Sequence, residues 1–157
     1  MRLAITTSLL VALACAVAGC GPDVDLGAGR ATARDYARDA DRICAQVAQR
    51  FKEIQSEDPQ TFAQAGEIVA ALLEVADDGE AELRALEPPR ARAEAFRDYL
   101  DARADLIGHL ESAADAAAAE DGAGYARARE AAVAASGERE RLARRAGLSG
   151  CARAEAG

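Results

Sequence analysis

The sequence has no tryptophan, one histidine and one methionine among its 157 residues. A single histidine, no Cys-x-x-Cys-His motif and a lone methionine at position 1 exclude the ligand sets of a c-type or His/Met-ligated haem protein. A Ser-His-Asp triad would depend on His109 alone, and Ser112, Ser136 and Ser149 lie in helical or terminal contexts without a nucleophile elbow. Glycine-rich phosphate loops are also absent. We therefore expect no enzyme activity and no cofactor.

Positive charge is scarce too. Lysine and arginine number 19 against 27 aspartates and glutamates, and the formal net charge is −8. Binding to nucleic acid depends on neutralising phosphates with basic side chains, so we expect no nucleic-acid partner. The same balance argues against an electrostatic attachment to anionic lipid.

The strand-type alternation of β-branched residues is missing, whereas alanine, leucine, glutamate and arginine, all strong helix formers, are abundant. Apolar residues recur at steps of three and four, which predicts four amphipathic helices over about 32–54, 59–86, 89–120 and 125–146. The short connections predict an all-α, antiparallel up-down-up-down four-helix bundle over residues 32–151.

Three local features qualify this prediction. Gly79 lies on the apolar seam of the second helix, where the helix either continues or breaks. From Ala113 to Ala135 nearly every apolar position is alanine, which gains little free energy on burial. No acidic residue stands alone inside an apolar stripe, so we expect no carboxylate with a strongly perturbed environment.

The first 20 residues have the pattern of an export signal. Arg2 provides a positive start, residues 3–18 carry no charge, and the apolar run is shorter than the roughly 20 residues that span a bilayer. Its end, Val17-Ala18-Gly19-Cys20, resembles the lipobox of bacterial lipoproteins, whose cysteine thiol is acylated before the preceding peptide is removed. We predict a signal peptide over 1–19 and a lipidated Cys20. A secretory signal with an incidental cysteine and an uncleaved anchor are the alternatives.

Glycine and proline are frequent directly after Cys20, which predicts a flexible tether through residue 31. Residues 152–157, after the last helix, are predicted to form a disordered tail. Because Arg2 is the only charged residue of the signal peptide, the mature chain keeps 18 basic and 27 acidic residues, a formal charge of −9.

His109 offers one candidate metal site. Asp105 lies four residues before it, and Asp98 and Asp101 continue roughly the same helical face. A metal ion would need further ligands from another helix, so we expect no metal site and interpret the face as a solvated acidic surface.

Several short motifs resemble the small helical lipoproteins of high-GC Gram-positive bacteria. They are the lipobox, a first-helix Asp41-Arg42-Ile43-Cys44, a Leu-x-x-Leu-x-Pro-Pro break from Leu83 to Pro89, and a final Gly-Leu-x-x-Cys from Gly147 to Cys151. The resemblance covers nearly the whole chain. It implies a location and an architecture, but no mechanism.

Four cysteines are present. Cys15 is predicted to leave with the signal and Cys20 to be acylated, so two thiols remain in an oxidising compartment, and we predict a Cys44–Cys151 disulfide. Since Cys44 lies well inside the first helix, the end of the chain must fold back along that helix, or the fourth helix must stop early. Two free thiols are the alternative.

Together these patterns predict a lipoprotein anchored on the outer face of the cell membrane, which acts as a non-enzymatic binding or structural module. Its partner is an envelope protein or a small ligand. A protein that sequesters a ligand or metal on the acidic face around His109 is the alternative.

Substituting Cys20→Ser should leave the precursor unprocessed or release the protein from the membrane. Two acyl chains, at about 0.8 kcal/mol per buried CH₂, anchor a protein stably, and the substitution removes their attachment site. Fractionation in high salt checks this. Cleavage after Gly19 with continued membrane association would contradict it.

Overall fold

The computed structural model describes residues 28–56 and 58–156, and every regular element in these ranges is helical, so the predicted all-α class is confirmed. The predicted signal peptide, Cys20 and the tether up to residue 27 lie outside the described residues. In chain order the elements are α1 (Ala28–Ile54), α2 (Phe62–Arg84), a 3-10 turn (Arg90–Arg92), α3 (Ala93–Ala118), α4 (Gly122–Ala134), α5 (Ser136–Ala146) and α6 (Ser149–Glu155).

The first helix is longer than predicted. Residues 28–31, assigned above to the tether, form the first turn of α1. Once the amphipathic part of the helix has formed, adding alanine and arginine at its amino end costs little, because propagation is far easier than nucleation.

α2 continues through Gly79 without a break. A Cβ atom at this position would collide with Cγ2 of Val47 on α1. Glycine is therefore needed here because the two helices approach closely, and the packing outweighs its unfavourable helix propensity. α2 ends at Arg84, ahead of Pro88 and Pro89.

α3 lies at the centre of the fold and packs against α2, α4 and α5, whereas α1 packs against α2 and α6. The predicted single fourth helix is divided at Ala135 into α4 and α5. Ser136 and Gly137 follow the division, and both disfavour a helix interior. Backbone hydrogen bonds still continue through the division, because the Ala135 N–H donates to the Ala131 carbonyl and the Ala135 carbonyl accepts from the Arg139 N–H.

The core has two parts. The first surrounds Tyr36 and Phe96, whose rings meet edge to face with centroids 5.3 Å apart, and it contains Leu83, Tyr99 and Leu148. The second contains Val69, Leu72, Leu106, Leu110 and, from α4, Ala128. The second part therefore has fewer large side chains on the α4 side.

The carboxyl terminus differs from the prediction of a disordered tail over residues 152–157, because residues 149–155 form α6. Gly147 ends α5 with φ 82°, as its position predicted, and Leu148 then folds onto the last turn of α5 and is fully buried. The backbone N–H groups of Gly150 and Cys151 donate to the Asp41 carboxylate of α1 at 2.8 and 3.2 Å. These contacts direct α6 back along α1.

The predicted disulfide is present. Cys44 and Cys151 are bonded, with their Cα atoms 5.0 Å apart and both side chains buried. Of the two geometries that the sequence left open, the chain uses the fold-back along α1, which brings the start of α6 beside the middle of that helix.

Alkylation of the unreduced, denatured protein should label neither Cys44 nor Cys151, as peptide mass spectrometry will show. The bond closes a sequence separation of 107 residues, so the chain-entropy model gives about 4–5 kcal/mol of stabilisation. Cys151→Ser should therefore lower the free energy of unfolding by a few kcal/mol, and its hydrogen exchange should rise first in α6. Labelling of both cysteines in the unreduced protein would disprove the bond.

Candidate ligand cleft and its buried ion pairs

A cleft of about 570 Å³ opens where α4 and α5 face α2, α3 and the end of α1. Leu106 and Leu110 of α3 and Leu72 of α2 line one side, and Phe51 of α1 contributes an aromatic ring. The opposite side is lined by small residues of α4, such as Ala132. Because these alanines cannot fill the space between the helices, the core stays open here. The volume falls in the range of small-molecule sites, roughly 300–1,000 Å³.

Polar side chains occupy a few positions of the cleft wall. His109 is partly buried on α3, and the Arg129 guanidinium lies over the Tyr125 ring at 5.8 Å. Arg139 of α5 and Glu155 of α6 line another part of the wall. The site is therefore mainly apolar with a small number of charged groups, as in many ligand sites.

Arg139 and Glu155 belong to a chain of ion pairs that crosses the protein interior. The Glu155 carboxylate lies between two guanidinium groups, 2.8 Å from Arg139 Nε and 3.0 Å from Arg103 Nη1. Glu80 Oε2 lies 3.4 Å from Arg103 Nε, and Glu80 Oε1 lies 2.7 Å from Nη2 of Arg84. The chain links α2, α3, α5 and α6.

Only the Arg84 end of this chain is exposed; the side chains of Glu80, Arg103, Arg139 and Glu155 are each less than 10% exposed. The two contacts of Glu80 are ion pairs by distance without the angles of hydrogen bonds. The attraction there is therefore purely Coulombic, whereas Glu155 is held by directional bonds.

Tyr99 completes the polar cluster. Its hydroxyl donates to Glu155 Oε1 at 3.1 Å and accepts from Arg103 Nη1 at 3.4 Å. Burial raises the pKa of the Tyr99 phenol well above its ordinary value, and the nearby Arg103 guanidinium only partly offsets this. Burial acts to lower the pKa of Arg103, but Tyr99, Glu155 and Glu80 together raise the pKa above its ordinary value. The hydroxyl therefore remains a neutral donor and the guanidinium a cation.

Glu80 and Glu155 are buried carboxylates that the pattern of acidic residues in the sequence did not predict. The signal was present in the arginines. Arg103 occupies the seam position between Leu100 and Ile107, and Arg139 occupies the one between Ala135 and Leu142. Two arginines on apolar seams require buried carboxylate partners, and that requirement could have been read from the sequence.

The acidic face around His109 is not assembled into a ligand set. Asp101 and Asp105 are exposed, and Asp98 pairs with Arg145 at 3.8 Å. Among the residues that the structure describes, no group of three His, Cys, Asp or Glu side chains lies close enough to hold a metal ion.

The three serines weighed as nucleophiles lie apart from one another. Ser112 donates to the Gly108 carbonyl at 2.8 Å, Ser136 lines the cleft wall, and Ser149 is the exposed first residue of α6. Within the described ranges, none of the three makes a hydrogen bond to His109.

Comparison of the chain with protein-family models, curated proteins and solved structures finds no match. None of the described helices combines the length and hydropathy needed to cross a bilayer.

Substituting Arg103→Met should lower the free energy of unfolding by about 3–5 kcal/mol, because it leaves two buried carboxylates without their shared cation. Arg50→Met is the control, since it removes an exposed pair with Asp78 and should cost less than about 1 kcal/mol. Urea denaturation of the two variants measures the difference. Equal losses would show that the ion-pair chain does not hold the helices together.

Proposed function

We propose that the protein is an extracytoplasmic lipoprotein, anchored through an acylated Cys20, that binds a small, mainly apolar ligand without chemical turnover. The observation that carries this proposal is the half-open apolar cleft between α3 and the alanine-rich α4. A concave cleft of this volume, lined mostly by apolar side chains with a few polar groups in its wall, has the usual form of a small-molecule site.

The anchoring is supported by the sequence alone. The lipobox at Val17–Cys20 supplies an acylation site, and the excess of acidic residues in the mature chain makes a purely electrostatic membrane contact unfavourable. The glycine- and proline-rich sequence after Cys20 favours a flexible tether, which would give the domain room to stand clear of the headgroups.

The arrangement of the helices fits an up-down-up-down bundle in which α4 and α5 together take the place of the fourth helix. The support for this is the short connections between successive helices and the packing of both α4 and α5 on α3. In this arrangement the cleft lies where the fourth helix of a filled bundle would complete the core.

Sequestration of a metal on the face around His109 is the second candidate function. The side chain of His109 is only partly buried and lines the cleft wall, so a metal ion that enters the cleft together with a small ligand could still reach it. Calorimetry with Zn²⁺, Cu²⁺ and Fe²⁺ tests this candidate: a site of micromolar affinity that is lost in His109→Ala would replace the first proposal.

The neutral dye N-phenyl-1-naphthylamine, whose fluorescence rises in apolar surroundings, tests the first proposal. The full chain with Cys20→Ser, which lacks the acylation site, should bind the dye in the cleft. Ala132→Phe, which fills the cleft, should abolish binding. Ala126→Phe is the matched control, because Ala126 is exposed on the same helix and does not line the cleft.

Dye binding that is absent, or that is equally strong in the Ala132→Phe and Ala126→Phe variants, would refute the cleft as the binding site. Thermal unfolding of both variants checks that the added ring has not unfolded the domain.

A further inference from the structure

We propose that the ligand of the cleft is a single-chain amphiphile with an anionic head, a carboxylate or a phosphate, whose head is bound by Arg139. This inference rests on the proposed function, since it names the class of ligand that the cleft takes. It is carried by the position of Arg139 in the cleft wall and by the donors that this residue leaves unused.

Arg139 is a buried cation at the edge of an apolar site. Its side chain is 7% exposed, and its Nε and Nη1 atoms donate to Glu155 and to the Ala132 carbonyl at 2.8 and 3.2 Å. Within the described ranges, Nη2 makes no hydrogen bond and is not among the polar atoms closed off from solvent. Arg139 is a lining residue of the cleft, so the two N–H groups of Nη2 are the donors that this residue could offer to a molecule bound there.

The cleft wall is less acidic than the protein as a whole. Its charged lining residues are the cations Arg129 and Arg139 and the acids Asp58 and Glu155, whose charges cancel, whereas the whole chain has a formal charge of −8. An anionic head would give Arg139 a second charge-assisted partner.

The remainder of the cleft suits a hydrocarbon chain. Away from Arg139 most of its lining residues are aliphatic or aromatic, among them Phe51, Leu72, Leu106 and Leu110. A molecule that is anionic throughout would leave this surface exposed, and a wholly apolar one would leave the Nη2 donors without a partner. The class that satisfies both parts is an amphiphile with one charged end.

Binding of cis-parinaric acid and of its uncharged methyl ester, followed by the fluorescence of the ligand, tests the class. The full chain carrying Cys20→Ser should bind the acid at least about tenfold more tightly than the ester, as expected for a hydrogen bond between charged groups. The absence of tryptophan keeps protein fluorescence low. Equal affinities would overturn the anionic head and leave the cleft itself in place if the neutral dye still binds.

Two substitutions with opposite effects test the role of Arg139. Arg139→Gln should remove the preference for the acid over the ester. Glu155→Gln should increase that preference severalfold, because it removes the negative charge that Arg139 already faces while keeping an acceptor oxygen. Arg129→Gln is the control, since it removes an exposed cation of the same cleft. A loss of preference in Arg129→Gln alone, or no change in Glu155→Gln, would overturn the assignment to Arg139.

If Arg139→Gln or Glu155→Gln fails to fold, the acid-to-ester ratio is compared between Arg129→Gln and the protein with both residues intact: a preference for the acid that survives in Arg129→Gln supports Arg139, and its loss overturns the assignment. Competition then distinguishes the source of the head: stronger displacement of the probe by oleate indicates a free acid, and stronger displacement by lysophosphatidylglycerol indicates a phospholipid. Failure of both competitors to displace the probe would refute the proposal.

Discussion

The position of α6 depends on the Glu155 carboxylate, which forms ion pairs with both Arg103 of α3 and Arg139 of α5. This carboxylate accepts from Arg103, Arg139 and Tyr99 within a part of the protein that excludes water. Burying these charges costs several kcal/mol for each ion, so the cluster adds little net stability. Its effect is on geometry: any other placement of α6 would leave Arg139 buried without a carboxylate and Arg103 with Glu80 alone.

The disulfide and the ion pairs act on the same short helix in complementary ways. A helix of seven residues is not stable by itself in water. The Cys44–Cys151 bond limits the freedom of its amino end in the unfolded chain, and Asp41 accepts from its first N–H groups. With that end fixed, the chain loses little further entropy when Glu155, four residues later, reaches the two arginines. The covalent bond thus offsets part of the cost of burying the charges.

How much of this the sequence predicts depends on the range of the interaction. The helical class follows from local propensity. The end of α5 follows from Gly147, a single residue with positive φ, and the disulfide follows from the number of cysteines. The division at Ala135, the helix after Leu148 and the burial of Glu155 do not, because each depends on packing between distant segments. Glu155 lies near the terminus of a polar stretch, and only the arginines on the seams of α3 and α5 indicated that a carboxylate had to come to them.

The alanine content of α4 connects the stability of the domain with its function. Leucine or isoleucine at positions such as 128 and 132 would fill the space against Leu106 and Leu110, and each would gain about 1.5–3 kcal/mol on burial. Alanine forgoes that gain and leaves the cleft. A core that is closed by a disulfide and by ion pairs at one end can tolerate this loss at the other. The stabilising contacts lie around α6 and most of the open volume lies along α4, but the two meet at Arg139 and Glu155, which belong to the ion-pair chain and also line the cleft. A ligand that contacts Arg139 therefore also contacts the group that fixes the position of α6.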